Sequence, residues 1–203
     1  MRSSAITRIL LLTGLVIMLA LDACGKTTPA EEPASSTEPS APFGEYLKQG
    51  NEFSQNGQFA EAVDEYKKAL DLEPENVDAL TNLGVAYYNL GRLDDAIDQY
   101  SKAIDIAPND ADIHSNLAAA YVQEHQLTDS SDSLNDGLAE YEKATDLNPD
   151  LPEAHFGLGV VYALLGRVDD AIQAFERFQE LDTGKDPMAT NSAKEFLEEL
   201  RSQ

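Results

Sequence analysis

"LTNLGVAYYNLGRLDDAIDQYSKAIDIAPND" (residues 80–110) follows "YLKQGNEFSQNGQFAEAVDEYKKALDLEPEN" (residues 46–76) at a fixed spacing, and the two align without a gap. Gly50 recurs as Gly84, Ala62 as Ala96, Tyr66 as Tyr100, Ala69 as Ala103 and Pro74 as Pro108, each pair 34 residues apart. A third copy runs through Leu117, Ala118, Tyr121, Tyr141, Ala144 and Pro149, and a fourth through Leu158, Gly159, Tyr162, Ala171 and Phe175. Within one copy, Leu80, Leu83, Gly84 and Tyr87 share an arc of about 100° on a helix and so form one buried face. Gly91 supplies a left-handed stop after that helix. Asp94 and Asp95 then favour the start of a second helix, where negative charge suits the dipole. Ala96, Tyr100 and Ala103 share its face, and Pro108 ends the unit because proline cannot continue a helix.

A single hairpin of this kind cannot cover its own apolar face, so copies stack on one another. The period and the residues that carry it resemble the tetratricopeptide repeat. That resemblance implies an all-α, right-handed α-solenoid with repeats at 43–76, 77–110, 111–151 and 152–185. Residues 186–203 read as a capping helix: Asp186 as cap, Pro187 in the first turn, and Ala189, Ala193, Phe196, Leu197 and Leu200 along one side. The fourth repeat departs from the pattern with Phe178 at a small position and Thr183 at the proline position, as suits a terminal unit facing a cap.

The third repeat is seven residues longer than the others, since Pro108 and Pro149 are 41 apart instead of 34. The surplus falls around Thr128 to Gly137, "TDSSDSLNDG", which reads as a polar surface loop between the helices. Asp132, Asp136 and Gly137 hint at a calcium loop, but Leu134 and Lys143 stand where oxygen ligands belong. His114 and His155 occupy the same repeat position and read as packing groups, and His125 lies near the insertion. No nucleophile–base pair or nucleotide loop is present. The expectation is no enzyme, no metal, no cofactor and no small-molecule substrate.

The chain has 37 acidic and 14 basic residues, a formal charge of −23. Nucleic acid is thereby a poor partner, because phosphates are bound by lysine and arginine. Its N-terminus reads as targeting. Arg2 and Arg8 precede the uncharged "ILLLTGLVIMLAL" (residues 9–21), which spans about 20 Å as a helix, short of the bilayer's hydrocarbon core of about 30 Å. The lone cysteine, Cys24, follows in "LDAC", which resembles the lipobox of bacterial lipoproteins, with Asp22 departing from the pattern. This implies removal of residues 1–23, acylation (palmitate and related chains) of Cys24 and export. The protein would then be lipid-anchored to a bacterial membrane on its periplasmic or extracellular face, the outer membrane where the host has one. Two or more chains anchor stably where one does not. Residues 24–42, rich in proline, glutamate and serine, read as a tether too polar to fold.

In tetratricopeptide proteins a second stripe on each first helix lines a concave groove for a peptide. Here that stripe comprises Leu47 and Asn51 in the first repeat, and Asp78, Thr81, Val85, Tyr88 and Asn89 in the second. It continues with Asp112, Ser115, Ala119 and Val122 in the third repeat, and Glu153, Phe156, Val160 and Leu164 in the fourth. Asn51 and Asn82 match two positions of the carboxylate clamp of chaperone-binding members. Leu47, Asp112 and Asn116 replace its basic residues, which disfavours an acidic peptide end. The expected function is a lipid-anchored adaptor of the cell envelope that holds a basic or apolar segment of a protein partner. A pilotin-like or assembly role fits that description, and the alternative is a self-associating structural spacer.

Overall fold

The computed structural model describes residues 41–184 and 186–202. Among them are nine α-helices and no strand, so the fold is an all-α helical repeat: α1 (Ala41–Gln55), α2 (Phe59–Leu72), α3 (Val77–Asn89), α4 (Leu93–Ile106), α5 (Ala111–Thr128), α6 (Ser131–Leu147), α7 (Pro152–Leu164), α8 (Val168–Leu181) and α9 (Pro187–Arg201). They form two compact units that divide between Pro108 and Asn109. Cys24 and the residues read as a leader, with most of those read as a tether, lie outside the described residues. Helix α1 begins at Ala41, so Ala41 and Pro42 form its first turn and do not end the tether. Proline is tolerated there because its missing N–H has no intrahelical partner in any case.

In the first unit α1 packs on α2, α2 on α3 and α3 on α4. Asn76 caps α3 by accepting from the Ala79 amide at 3.0 Å. Gly91 turns the chain with φ of 71°, a conformation that costs an L-residue energy and glycine little. Glycine also sets how closely the helices approach. A Cβ on Gly84 would lie 2.6 Å from the Tyr100 ring, and one on Gly50 2.5 Å from the Tyr66 ring. The small face of each first helix thus seats the large residue of the second. Ala62, Ala69, Ala96 and Ala103 are fully buried around these rings.

The second unit contains two more hairpins and the C-terminal helix: α5 packs on α6, α6 on α7, α7 on α8 and α8 on α9. Its first hairpin overturns the expectation of an inserted loop. Helix α5 has 18 residues against 13 in α3, and α6 has 17 against 14 in α4. The connection is only Asp129 and Ser130, one residue shorter than 90–92, so the helices gain eight residues and the hairpin seven. Asp129 adopts the left-handed conformation (φ 59°, ψ 26°), which an aspartate tolerates better than most residues. The Ser130 hydroxyl accepts from the Ser133 amide at 3.1 Å and so caps α6, while the Ser133 hydroxyl donates to Glu124 at 2.6 Å. His125 Nδ1 lies 2.7 Å from the Ser130 carbonyl. Asp132, Asp136 and Gly137 accordingly stand on a helix and not in an ion-binding loop.

At the chain's end, Asp186 caps α9 by accepting from the amides of Met188 and Ala189 at 2.9 and 3.1 Å. Ala189, Ala193, Phe196, Leu197 and Leu200 are its buried side, the five read from spacing. Phe178 stands where earlier repeats carry Ala69, Ala103 and Ala144. Its ring packs edge-on against Phe156 at 5.3 Å, and Phe175 stacks on Phe196 at 5.2 Å. Such aromatic pairs contribute about 0.5–1.5 kcal/mol each beyond the burial of their area.

Candidate functional site

The stripe read as a groove lies on α1, α3, α5 and α7, and its character differs between the two units. In the first, Leu47, Asn51, Thr81, Val85 and Asn89 are half-buried and Asp78 is exposed. Tyr88 is fully buried, so it belongs to the core and not to an open wall. In the second unit Asp112 is exposed while Glu153 and Leu164 are half-buried. Ser115, Ala119, Val122, Phe156 and Val160 are all buried. Phe156 is enclosed by three rings, those of Phe175, Phe178 and Phe196, with centroids 5.6, 5.3 and 6.4 Å away. These six residues, Tyr88 included, are corrected from groove-lining to core. Repeat spacing identifies which residues share a face but not what packs over it.

In the first unit the stripe carries a polar network that includes two residues outside the expected lining, Asn82 and Tyr66. The Tyr66 hydroxyl donates to Asn51 Oδ1 at 2.8 Å, and Asn82 Nδ2 donates to the same oxygen at 3.1 Å. Burial pushes the Tyr66 phenol up to about 12, against a smaller opposing effect of a hydrogen bond with Ser54, so its proton is retained at neutral pH. Nearby, Thr81 Oγ1 is shielded from solvent and has no hydrogen-bond partner among the described residues. Asn89 is turned back on its own helix, with Nδ2 donating to the Val85 carbonyl at 2.9 Å. Asn82 was legible as a repeat position, whereas the part played by Tyr66 needed the approach of α2 to α1.

Charge around the stripe is acidic. In the second unit Asp112 is exposed as a residue, yet protein atoms around its carboxyl displace water and raise its pKa, and the carboxylate of Asp110 adds to the shift. His114 is buried with Nδ1 2.6 Å from Glu140 Oε2, and His155 Nε2 lies 2.8 Å from the Pro149 carbonyl. Among the described residues no three His, Cys, Asp or Glu side chains are grouped to hold a metal ion, and no helix is long and apolar enough to cross a membrane.

Helical hairpins with a 34-residue period, glycine-seated aromatic rings and a terminal helix over the last hairpin define a helical-repeat protein. The tetratricopeptide repeat family matches residues 47–111 and 131–186, and the chain belongs to that family. Tetratricopeptide repeat proteins mediate protein–protein interactions. Among solved structures, TTC0263, a thermophilic tetratricopeptide protein of Thermus thermophilus, is 23% identical with a TM-score of 0.67, over 79% of this chain and 81% of that one. YrrB, a tetratricopeptide protein described as having an unusual peptide-binding site, is 25% identical with a TM-score of 0.56, over 77% of this chain and 80% of that one. The first such domain of Spaghetti (RPAP3), bound to the HSP90 peptide SRMEEVD, is 25% identical with a TM-score of 0.53, over 62% of this chain and 95% of that one. No curated protein matches the sequence.

Proposed function

We propose that this protein is a lipid-anchored adaptor of a bacterial envelope that holds an extended segment of a protein partner on its first two hairpins. The observation that carries this reading is the half-exposed stripe of Leu47, Asn51, Thr81, Asn82 and Val85 in the first unit, whereas the stripe in the second is mostly core. The peptide-binding site of YrrB and the peptide complex of RPAP3 support a polypeptide ligand. The HSP90 peptide has an acidic end. On the first two hairpins this chain has Leu47 at a basic position of the clamp and the acidic Asp78 nearby in the stripe, so its segment is apolar or basic. Its own tether fits poorly, because Glu31, Glu32 and Glu38 bring negative charge to a stripe that already has Asp78. The address rests on the uncharged run ending at Leu21 and on Cys24, which together form a lipoprotein leader.

Photo-crosslinkers placed at Asp78 and Val85, with an exposed control at Asp98 on α4, test the groove in cells. Crosslinks to a protein partner are expected from the first two positions and not from the control, and equal patterns would contradict the groove. Labelled palmitate is expected to enter the wild type and not Cys24→Ala. Its absence from both would remove the anchor.

A further inference from the structure

Resting on the groove reading above, we infer that Tyr66 is a positioning residue. It fixes Asn51 as a pure hydrogen-bond donor, so that the first two hairpins select a segment by its main-chain carbonyls and reject an acidic end.

The geometry is a matter of valence. A side-chain carbonyl oxygen has two lone pairs, and Asn51 Oδ1 already accepts from Tyr66 at 2.8 Å and from Asn82 at 3.1 Å. Tyr66 is 1% exposed and seated against Gly50, so its hydroxyl cannot swing away without moving the hairpin's core. With its oxygen doubly engaged, the Asn51 amide has a fixed orientation and only its two Nδ2 hydrogens remain to offer. Asn82 spends one N–H on Asn51 and retains the other together with its carbonyl, the pairing groups that a peptide unit presents in return. Fixing donors before the ligand arrives lowers the ordering cost of binding.

Charge sets the class of segment. The half-exposed stripe contains Asp78 and no lysine or arginine at positions 47, 51, 81, 82, 85 or 89. A carboxylate brought there would find donors but no cation, and would be repelled by Asp78. A main-chain carbonyl needs only the donors, and a lysine or arginine beside it gains Asp78. The occupant is therefore an extended segment with neutral or basic side chains, bound within its length.

The test uses the full chain, labelled with nitrogen-15, and two probes. One is an N-acetylated, C-amidated heptapeptide of alternating lysine and alanine. In the other, glutamate replaces lysine and the C-terminus is free. Shifts of the Asn51 and Asn82 side-chain amide signals are expected with the lysine probe and not with the glutamate probe. Asn51→Asp keeps an acceptor for Tyr66 and Asn82 but deletes both donors. In 1 M salt, where the added carboxylate is screened beyond about 3 Å, it is expected to bind the lysine probe about tenfold more weakly than the wild type does, with an unchanged melting temperature. Tyr66→Phe is expected to lower the order parameter of the Asn51 side-chain nitrogen and to narrow the discrimination between probes, which mere loss of packing would not do. The assignment is overturned if the lysine probe causes no shift, if the glutamate probe shifts Asn51 as strongly, or if both variants behave as wild type. Val85→Arg, which crowds the stripe and repels the lysine probe, separates the two levels. If it abolishes binding while the other variants do not, the groove stands and the role of Tyr66 falls. If it too leaves binding intact, the groove itself fails.

Discussion

Leu47 and Phe156 occupy the same repeat position, as do Asn51 and Val160, yet the first of each pair is half-buried and the second is core. In the first unit these positions carry Leu47 and Thr81, and Asn51 and Val85. In the last hairpin they carry a phenylalanine and a valine, with Phe178 and Phe196 supplied nearby. A repeat position thus fixes direction on a helix, and the side chains around it decide whether that direction means surface or interior. Two hairpins use the stripe for polar groups, and the last uses it to seal the end of the array.

Paired substitutions sharpen this contrast. The largest effect is expected for Phe156→Ala, which should cost about 3–5 kcal/mol of stability in urea unfolding, against about 1 kcal/mol for Leu47→Ala at the equivalent position. Similar costs would break the comparison. Next, Gly84→Ala places a methyl group 2.6 Å from the Tyr100 ring and should cost about 1–3 kcal/mol. The third hairpin already has Ala118 at that position, and its Tyr141 ring packs against Gly157 of α7 instead. Ala118→Gly is therefore expected to gain nothing and to lose about 1 kcal/mol of helix propensity. The smallest effect belongs to the long hairpin's turn. Asp129→Gly relieves the left-handed strain and should stabilise by about 0.5–1 kcal/mol, read as a small rise in melting temperature.

Much of this fold was legible in the sequence because it is written in local chemistry. Gly91 as a stop, Asp186 and Pro187 at a helix start and the five apolar residues of α9 each act within a few positions of themselves. The turn of the third hairpin was misread because "TDSSDS" has the composition of a loop. One serine cap and one left-handed aspartate let that composition turn the chain in two residues. The buried part of the stripe was illegible for a different reason. Periodicity places Phe156 on a face, but only packing across the hairpin brings Phe175, Phe178 and Phe196 around it. Spacing pairs Tyr66 with Tyr100, but its hydroxyl's reach to Asn51 depends on the distance between two helices.

The most direct test of an open stripe in one unit and a closed one in the other is thiol reactivity. In a Cys24→Ala background, single cysteines at Leu47, Val85, Phe156 and Val160 would be timed against a maleimide in the native state. Rapid labelling at the first two positions and protection at the last two is the predicted result, and comparable rates at all four would contradict it.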